Sequence, residues 1–350
     1  TTLFRSQLIR AAMAVDDMGD WADGHYFTKP TFYQAMLDEA VEAAIENDIY
    51  VIIDFHSHVA ADSVENAKSF FRTQAQKWGS YDNVIFEVFN EPICASGSKG
   101  DNAQCDDFGG FIEMPAIKAY ADQVVSVIRE FSDNLVIVGT PQWDQHPETA
   151  IYSPVSDLKN NVAYALHFYA GETLHHDFDG LTSNAELAMN SGLSVFVSEW
   201  GTVDYNGGGS VGTAWNPQWQ TWMNANKISQ ANWNAGINTS EGSQYASEYF
   251  GADFNPTNNW TYSASGQWVN ANVFAGLTAE EYSACTEYVD EDFFIQSSSS
   301  SFEEPGEYVV TDFDGNGKAL YNYAYAYGSS GFGNTWDGTC NDGEDRKSVV

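Results

Sequence analysis

The chain has 350 residues, 43% of them hydrophobic and 15% aromatic, and its 49 acidic against 14 basic side chains give a net charge of -35. That length allows a large core, either one barrel of roughly 250 residues with extra elements or two domains. The charge argues against nucleic acid or an anionic membrane surface as partner, and no apolar run approaches the ~18 residues that a membrane span needs.

In chain order, LIRAAM (8–13) is a short strand-like run with Arg10 inside it, followed by a polar Asp/Gly loop at 16–24. Pro30 opens a helix through residue 46, with Phe32, Met36, Ala40, Ala43 and Ala44 at helical spacing. VIIDFHSH (51–58) is a buried strand, and residues 63–78 form a helix. VIFEVFNEP (84–92) is a near-continuous apolar run, as in a parallel strand covered on both faces. It ends in Asn90 and Glu91 before Pro92, which cannot continue a ladder. Alternation places Glu87, Phe89 and Glu91 on one face.

Residues 94–110 form a loop. A helix over 115–131 carries Ile117, Tyr120, Ala121, Val124, Val125 and Ile128 on one side. LVIVGT (135–140) is a strand ending in PQW, and VAYALHFYAG (162–171) is the next strand. A helix covers about 184–191. SVFVSEWG (194–201) repeats the earlier design with Glu199 near its tip. A helix at 217–226, a strand at 227–236 and a last helix at 263–274 complete the series.

Seven strands alternating with helices predict a parallel α/β sheet. His56, Glu91, Trp143, His167 with Tyr169, Glu199 and Trp233 all lie at or near strand C-termini. Contributions from so many strand ends favour a barrel over an open sheet. An eight-stranded (β/α)8 TIM barrel needs one more strand, and none precedes Arg10, so the first strand and helix are expected to be missing from this chain.

Beyond residue 240 the texture changes: after the last helix come an acidic stretch (277–294), a serine run (297–301) that reads as a linker, and a Gly/Tyr/Asp-rich region (302–340). DFDGNG (312–317) opens like a calcium loop, but its twelfth position is Tyr323 rather than a bidentate Glu, so a polar turn is expected. The final DRKSVV can be spelled by the start of a sequencing adapter and a stop, so we expect residues 345–350 to be an artefact on an assembled fragment. Cys94 and Cys105 bracket a loop, and Cys285 and Cys340 lie towards the tail; four cysteines allow three connectivities, and this spacing is not that of a zinc site. Asn238 and Asn259 begin sequons.

Two strand-end carboxylates suggest an acid–nucleophile pair, which in retaining glycosidases stands about 5–5.5 Å apart. One member needs a raised pKa and the other needs a cation and donors. Arg10 is the candidate cation, His167 and Tyr169 are candidate donors, and Asn90 is a donor to a sugar hydroxyl. Glu87 reads as a buried structural charge and a partner for Arg10, and Asp54 as structural. His56 reads as a substrate contact or a satisfied core histidine. Trp233 and Trp143 read as sugar platforms, with core packing as the alternative. His56, His58, His167 and the pair His175–His176 lack helical ligand spacing, so no metal is expected.

The runs LIRAAM, VIIDFHSH, VIFEVFNEP, IVGTPQW, HFYAG, VSEWG and ISQANW resemble glycoside hydrolase family 5, in its bacterial-type endoglucanase branch, over roughly residues 8–274. The resemblance implies a β/α barrel and retaining hydrolysis of internal β-1,4-glucosidic bonds. Glu91 would be the acid/base and Glu199 the nucleophile. Arg10, His56, Asn90, His167, Tyr169 and Trp233 fall on positions lining the reacting-sugar site, and no cofactor is expected. Residues 1–276 would be the catalytic barrel and 277–344 an extension of unknown role. A β-mannanase or xyloglucanase of the same family and a non-catalytic carbohydrate-binding barrel are the alternatives. A secreted, extracellular monomer acting on β-glucan is expected. The family's first strand, the 94–105 loop and the tail are points of departure.

Overall fold

The computed structural model describes residues 7–16, 24–94, 110–171, 177–204, 210–212, 214–234 and 263–273. Seven strands form one parallel sheet in sequence order: β1 (Leu8–Ala14), β2 (Tyr50–His56), β3 (Val84–Glu87), β4 (Val136–Val138), β5 (Val162–Tyr169), β6 (Ser194–Gly201) and β7 (Gln230–Asn232). Helices α1 (Pro30–Glu46), α2 (Val64–Trp78), α3 (Met114–Ile128), α5 (Phe178–Asn190), α6 (Asn216–Ala225) and α7 (Ala264–Asn272) flank it, with a single short turn, α4 (Pro141–Asp144), after β4. The edge strands β1 and β7 approach each other, so the sheet curls into a nearly closed barrel. No described residue supplies an eighth strand between them.

Alternation along the strands sorts the core into two layers. Leu8, Ile52, Ile85, Ile137, Ala163, Ala165, Phe196 and Ala231 pack together inside the barrel. Residues of opposite parity, such as Val51, Ile53, Phe55, Val84 and Phe86, pack outward against the helices. Ile117, Tyr120, Ala121, Val124, Val125 and Ile128 of α3 are all buried, as their spacing predicts. On the other flank Phe168 stacks on Trp219 at 3.6 Å between ring centroids, and Trp200 packs beside it.

Several local expectations need correction. In α1 the buried stripe is Leu37, Val41 and Ala44, while Phe32 and Met36 are 58% and 51% exposed. Two apolar stripes had helical spacing, and packing on the sheet selects one of them. Helix α5 starts earlier than expected because the Asp177 side chain caps it, accepting from Gly180 N–H at 2.9 Å. Strand β3 ends at Glu87, and its alternation then lapses: Phe89 packs edge-on against Tyr120 of the helix layer, not on the face of Glu87. Glu91 has φ +46°, left-handed backbone that ends any extended run.

The 277–344 extension, the DRKSVV tail, Cys105, Cys285, Cys340, His175–His176, both sequons and the DFDGNG turn lie outside the described residues. Cys94 is buried and is not a free thiol.

Candidate active site

Above the apolar interior the barrel holds a buried ionic layer. Arg10, 1% exposed, points inward from β1 and donates to three neighbours: Nε to Glu87 Oε2 at 2.6 Å, Nη1 to Glu199 Oε2 at 2.8 Å and Nη2 to Asn90 Oδ1 at 2.7 Å. Nη2 also lies 2.9 Å from Asp54 Oδ2. Burial alone would lower the arginine pKa, but Asp54, Glu87 and Glu199 outweigh it and hold the guanidinium firmly charged. Glu87 and Asp54 thus sit where a structural role predicts.

Because arginine only donates, Asn90 must turn its oxygen towards Arg10. Its Nδ2 is then left buried without a partner among the described residues.

Glu199 receives a second donor on its other oxygen, Tyr169 O–H at 2.6 Å. A glycine makes this contact possible: a Cβ at Gly201 would stand 2.1 Å from Tyr169 Cδ1. Burial and the nearby Glu199 charge push the Tyr169 phenol well above its ordinary range, so it stays a donor. The register of β6 against β7 shifts between Val197 and Trp200, and Trp200 faces the outer layer. Ser198 and Glu199 therefore both face the barrel interior, a re-aiming that bulges beside active sites provide.

Glu91 lies opposite. Its Oε1 is 3.1 Å from His167 Nδ1, and its backbone N–H donates to Asp144 Oδ2 at 2.8 Å. Burial raises its pKa, opposed by His58 and Arg10 and reinforced by Asp54 and Glu87, so the carboxyl tends to keep its proton. One oxygen each of Glu91 and Glu199 and a ring nitrogen of His167 lie within 4.8 Å of one another. That closeness would also suit a cation, but hydrogen bonds from Arg10 and Tyr169 and the Glu91–His167 contact account for these atoms, and we assign them no metal.

His56 and Trp233 stack in parallel at 5.7 Å, and His56 Nδ1 lies 2.7 Å from Asp54 Oδ2. The Trp233–Asn234 peptide is cis. Trp143 stands apart from the ionic layer: it is half-buried against Ile93 and Cys94 and meets Phe111 edge-on at 5.4 Å. An antiparallel bridge between Cys94 and Phe111 brings that aromatic pair beside Glu91 and Pro92.

Two members escaped the sequence reading. Asp144 follows two left-handed residues, Gln142 and Trp143, and is left-handed itself, so no α-helical or strand period points to it. Ser198 directly precedes Glu199, and strict alternation would turn one of the two away. The Pro-x-x-Asp run after a strand end was the available signal for the first; nothing local marked the second.

Burial lowers the pKa of His56 and of His167 to about 4, and Arg10 adds to the effect in both. A depressed folded pKa contributes stability present above about 6.5 and lost as pH falls through about 4. Asp54, raised to about 7 by burial, runs oppositely, its contribution lost as pH rises through that value. NMR titration is expected to show both imidazoles neutral down to about pH 4; a midpoint near 6.5 for either would contradict their burial.

Fold and site together define a class: a parallel α/β barrel with two opposed acidic side chains and a buried arginine at its C-terminal rim. The chain belongs to glycosyl hydrolase family 5, whose family model, Cellulase, matches residues 4–239. It is 40% identical over 231 residues to endoglucanase Z of Dickeya dadantii, covering 66% of this chain and 48% of that protein. It is 33% identical over 248 residues to an endoglucanase of Halalkalibacter akibai, covering 66% and 29%. The chain thus spans about half or less of the length of these curated relatives. A halotolerant family 5 cellulase from an Icelandic hot spring isolate superposes with a TM-score of 0.63 at 29% identity, over 77% of this chain and 79% of that one. The catalytic domain of Thermobifida fusca endoglucanase Cel5A in complex with cellotetraose gives 0.62 at 27%, over 77% and 81%. No described helix is long and apolar enough to cross a membrane.

Proposed function

We propose that this chain is a retaining endo-β-1,4-glucanase in which Glu91 is the acid/base and Glu199 the nucleophile. The observation that carries the reading is the opposed pair itself, with carboxyl oxygens within 4.8 Å and with Arg10 and Tyr169 both donating to Glu199. Such closeness suits direct attack, whereas inverting enzymes leave about 6.5–9.5 Å for a water. Glu199 attacks the anomeric carbon as the bond to the leaving oxygen breaks, and Glu91 gives that oxygen its proton. Glu91 then takes a proton from water, whose oxygen displaces Glu199 and releases the sugar. Asn90 Nδ2 donates to a hydroxyl of the reacting sugar, and His56, Trp233 and Trp143 line its path.

The family relatives named as endoglucanases support β-glucan as substrate. Secretion and monomeric action belong to the same proposal, supported by the strongly acidic composition. So does the division into a barrel (1–276) and a separate extension (277–344), supported by Val269 and Val273 of the α7 region, which pack into the same core as Trp200 and Trp219.

The test is the first anomer released from a soluble β-glucan, followed by proton NMR. The β-anomer is expected, and initial release of the α-anomer would refute retention. Carboxymethylcellulose should be cleaved faster than galactomannan or xyloglucan. The reverse order would point to a mannanase or xyloglucanase of the family, and binding with no cleavage to a carbohydrate-binding barrel.

A further inference from the structure

Ser198 is fully buried and bridges Glu87 and His167, whose Oε1 and Nε2 atoms stand 3.9 Å apart, too far for a direct hydrogen bond. Its Oγ donates to Glu87 Oε1 at 2.6 Å, and His167 Nε2 lies 2.9 Å from the same oxygen. A serine hydroxyl has one proton to give. Glu87 takes that proton as an acceptor: burial pushes its pKa up, but the direct ion pair with Arg10 Nε, 2.6 Å from its other oxygen, opposes this and favours the carboxylate. The hydroxyl can then only accept from the imidazole, so His167 carries its hydrogen on Nε2. A neutral imidazole has one N–H, which leaves Nδ1 as a bare lone pair. That lone pair faces Glu91 Oε1 at 3.1 Å, and a hydrogen bond there requires the proton to sit on Glu91.

We propose that Ser198 is a positioning residue that relays the polarity set by Arg10 and Glu87 into His167, fixing its Nε2–H tautomer and so storing the proton on Glu91. The proposal rests on the reading of Glu91 as acid/base and says what loads it. The same lone pair disfavours an ionised Glu91 after proton donation, which strengthens it as the base that deprotonates water in the second step.

The groups facing this relay are consistent with it. Asp144 Oδ2 is 3.5 Å from His167 Nδ1, beyond good hydrogen-bond reach, and its oxygens already accept the N–H groups of Glu91 and Thr140. Burial pushes Asp144 well up towards its neutral form, against those two backbone donors. His58 Nδ1 lies 3.1 Å from the Glu91 carbonyl and 3.7 Å from Oε2. Glu199 lies across the cleft, and Arg10, Asp54 and the neutral His56 complete the titratable surroundings. Burial disfavours a doubly protonated His167.

The test compares the full chain with Ser198→Thr, which keeps the hydroxyl, and Ser198→Val, the isostere of that threonine with a methyl in place of the hydroxyl. Nitrogen-15 NMR reads the His167 tautomer directly, whether or not the chain cleaves β-glucan, so failure of the functional reading and of this inference are separable. Wild type and Ser198→Thr are expected to be Nε2–H, with Ser198→Val shifted towards Nδ1–H. The alkaline limb of kcat/KM should move to lower pH by about one unit in Ser198→Val and stay in place in Ser198→Thr. An Nδ1–H tautomer in wild type, or an unchanged tautomer in Ser198→Val, would overturn the proposal. A merely structural role would lower stability and leave tautomer and limb where they are. Should Ser198→Val fail to fold, Ser198→Ala is measured in the same way.

Discussion

Glu199→Ala is expected to abolish turnover of β-glucan, with a loss on the order of 10⁴-fold or more, while binding of cello-oligosaccharides survives. The proposed nucleophile has no substitute among the described residues, because Glu87 and Asp54 lie a layer deeper and are held by Arg10. The fold should tolerate the change, since Arg10 keeps both of those partners. Isothermal titration calorimetry with cellotetraose alongside a reducing-sugar assay checks both halves. Glu91→Ala should behave differently: a loss of about 10²–10⁴-fold on polysaccharide, but near-normal glycosylation by substrates whose leaving group needs no proton. Equal loss on activated and unactivated substrates would overturn the assignment of roles.

Arg10→Met is expected to cost about 3–5 kcal/mol of folding stability, because it leaves Asp54, Glu87 and Glu199 facing one another without their cation. Activity should vanish with it, since Glu199 and Asn90 both lose the donor that orients them. Arg10→Lys keeps the charge but not the fork that reaches several acceptors, so an intermediate loss is expected. Urea denaturation followed by tryptophan fluorescence measures the effect; a loss below about 1 kcal/mol for Arg10→Met would show that the buried cluster takes up protons instead of relying on the arginine.

Much of this architecture is legible in the amino-acid sequence. The apolar runs at β1 to β7 marked parallel strands because a strand covered on both faces has no polar side to show. Arg10, Asn90, Glu91, His167, Tyr169 and Glu199 could be gathered because strand C-termini of such a sheet share one rim. Even the pairing of Arg10 with Glu87 followed, since a fully buried charge needs a partner. Helix faces were less legible: Phe32 and Met36 of α1 had the right period, yet it is Leu37, Val41 and Ala44 that the sheet covers.

By itself, then, the sequence determined the parallel strands, the rim they share and the acidic pair on it, because those depend on local period and chain order. The tertiary structure alone decided what surrounds that pair. Ser198 enters the site through a register shift in β6, and Asp144 through a left-handed turn after β4. Phe89 leaves the inner face because β3 stops at Glu87. Each is a departure from regular backbone, and hydrogen bonds and packing across the barrel, between residues far apart in the chain, hold it in place.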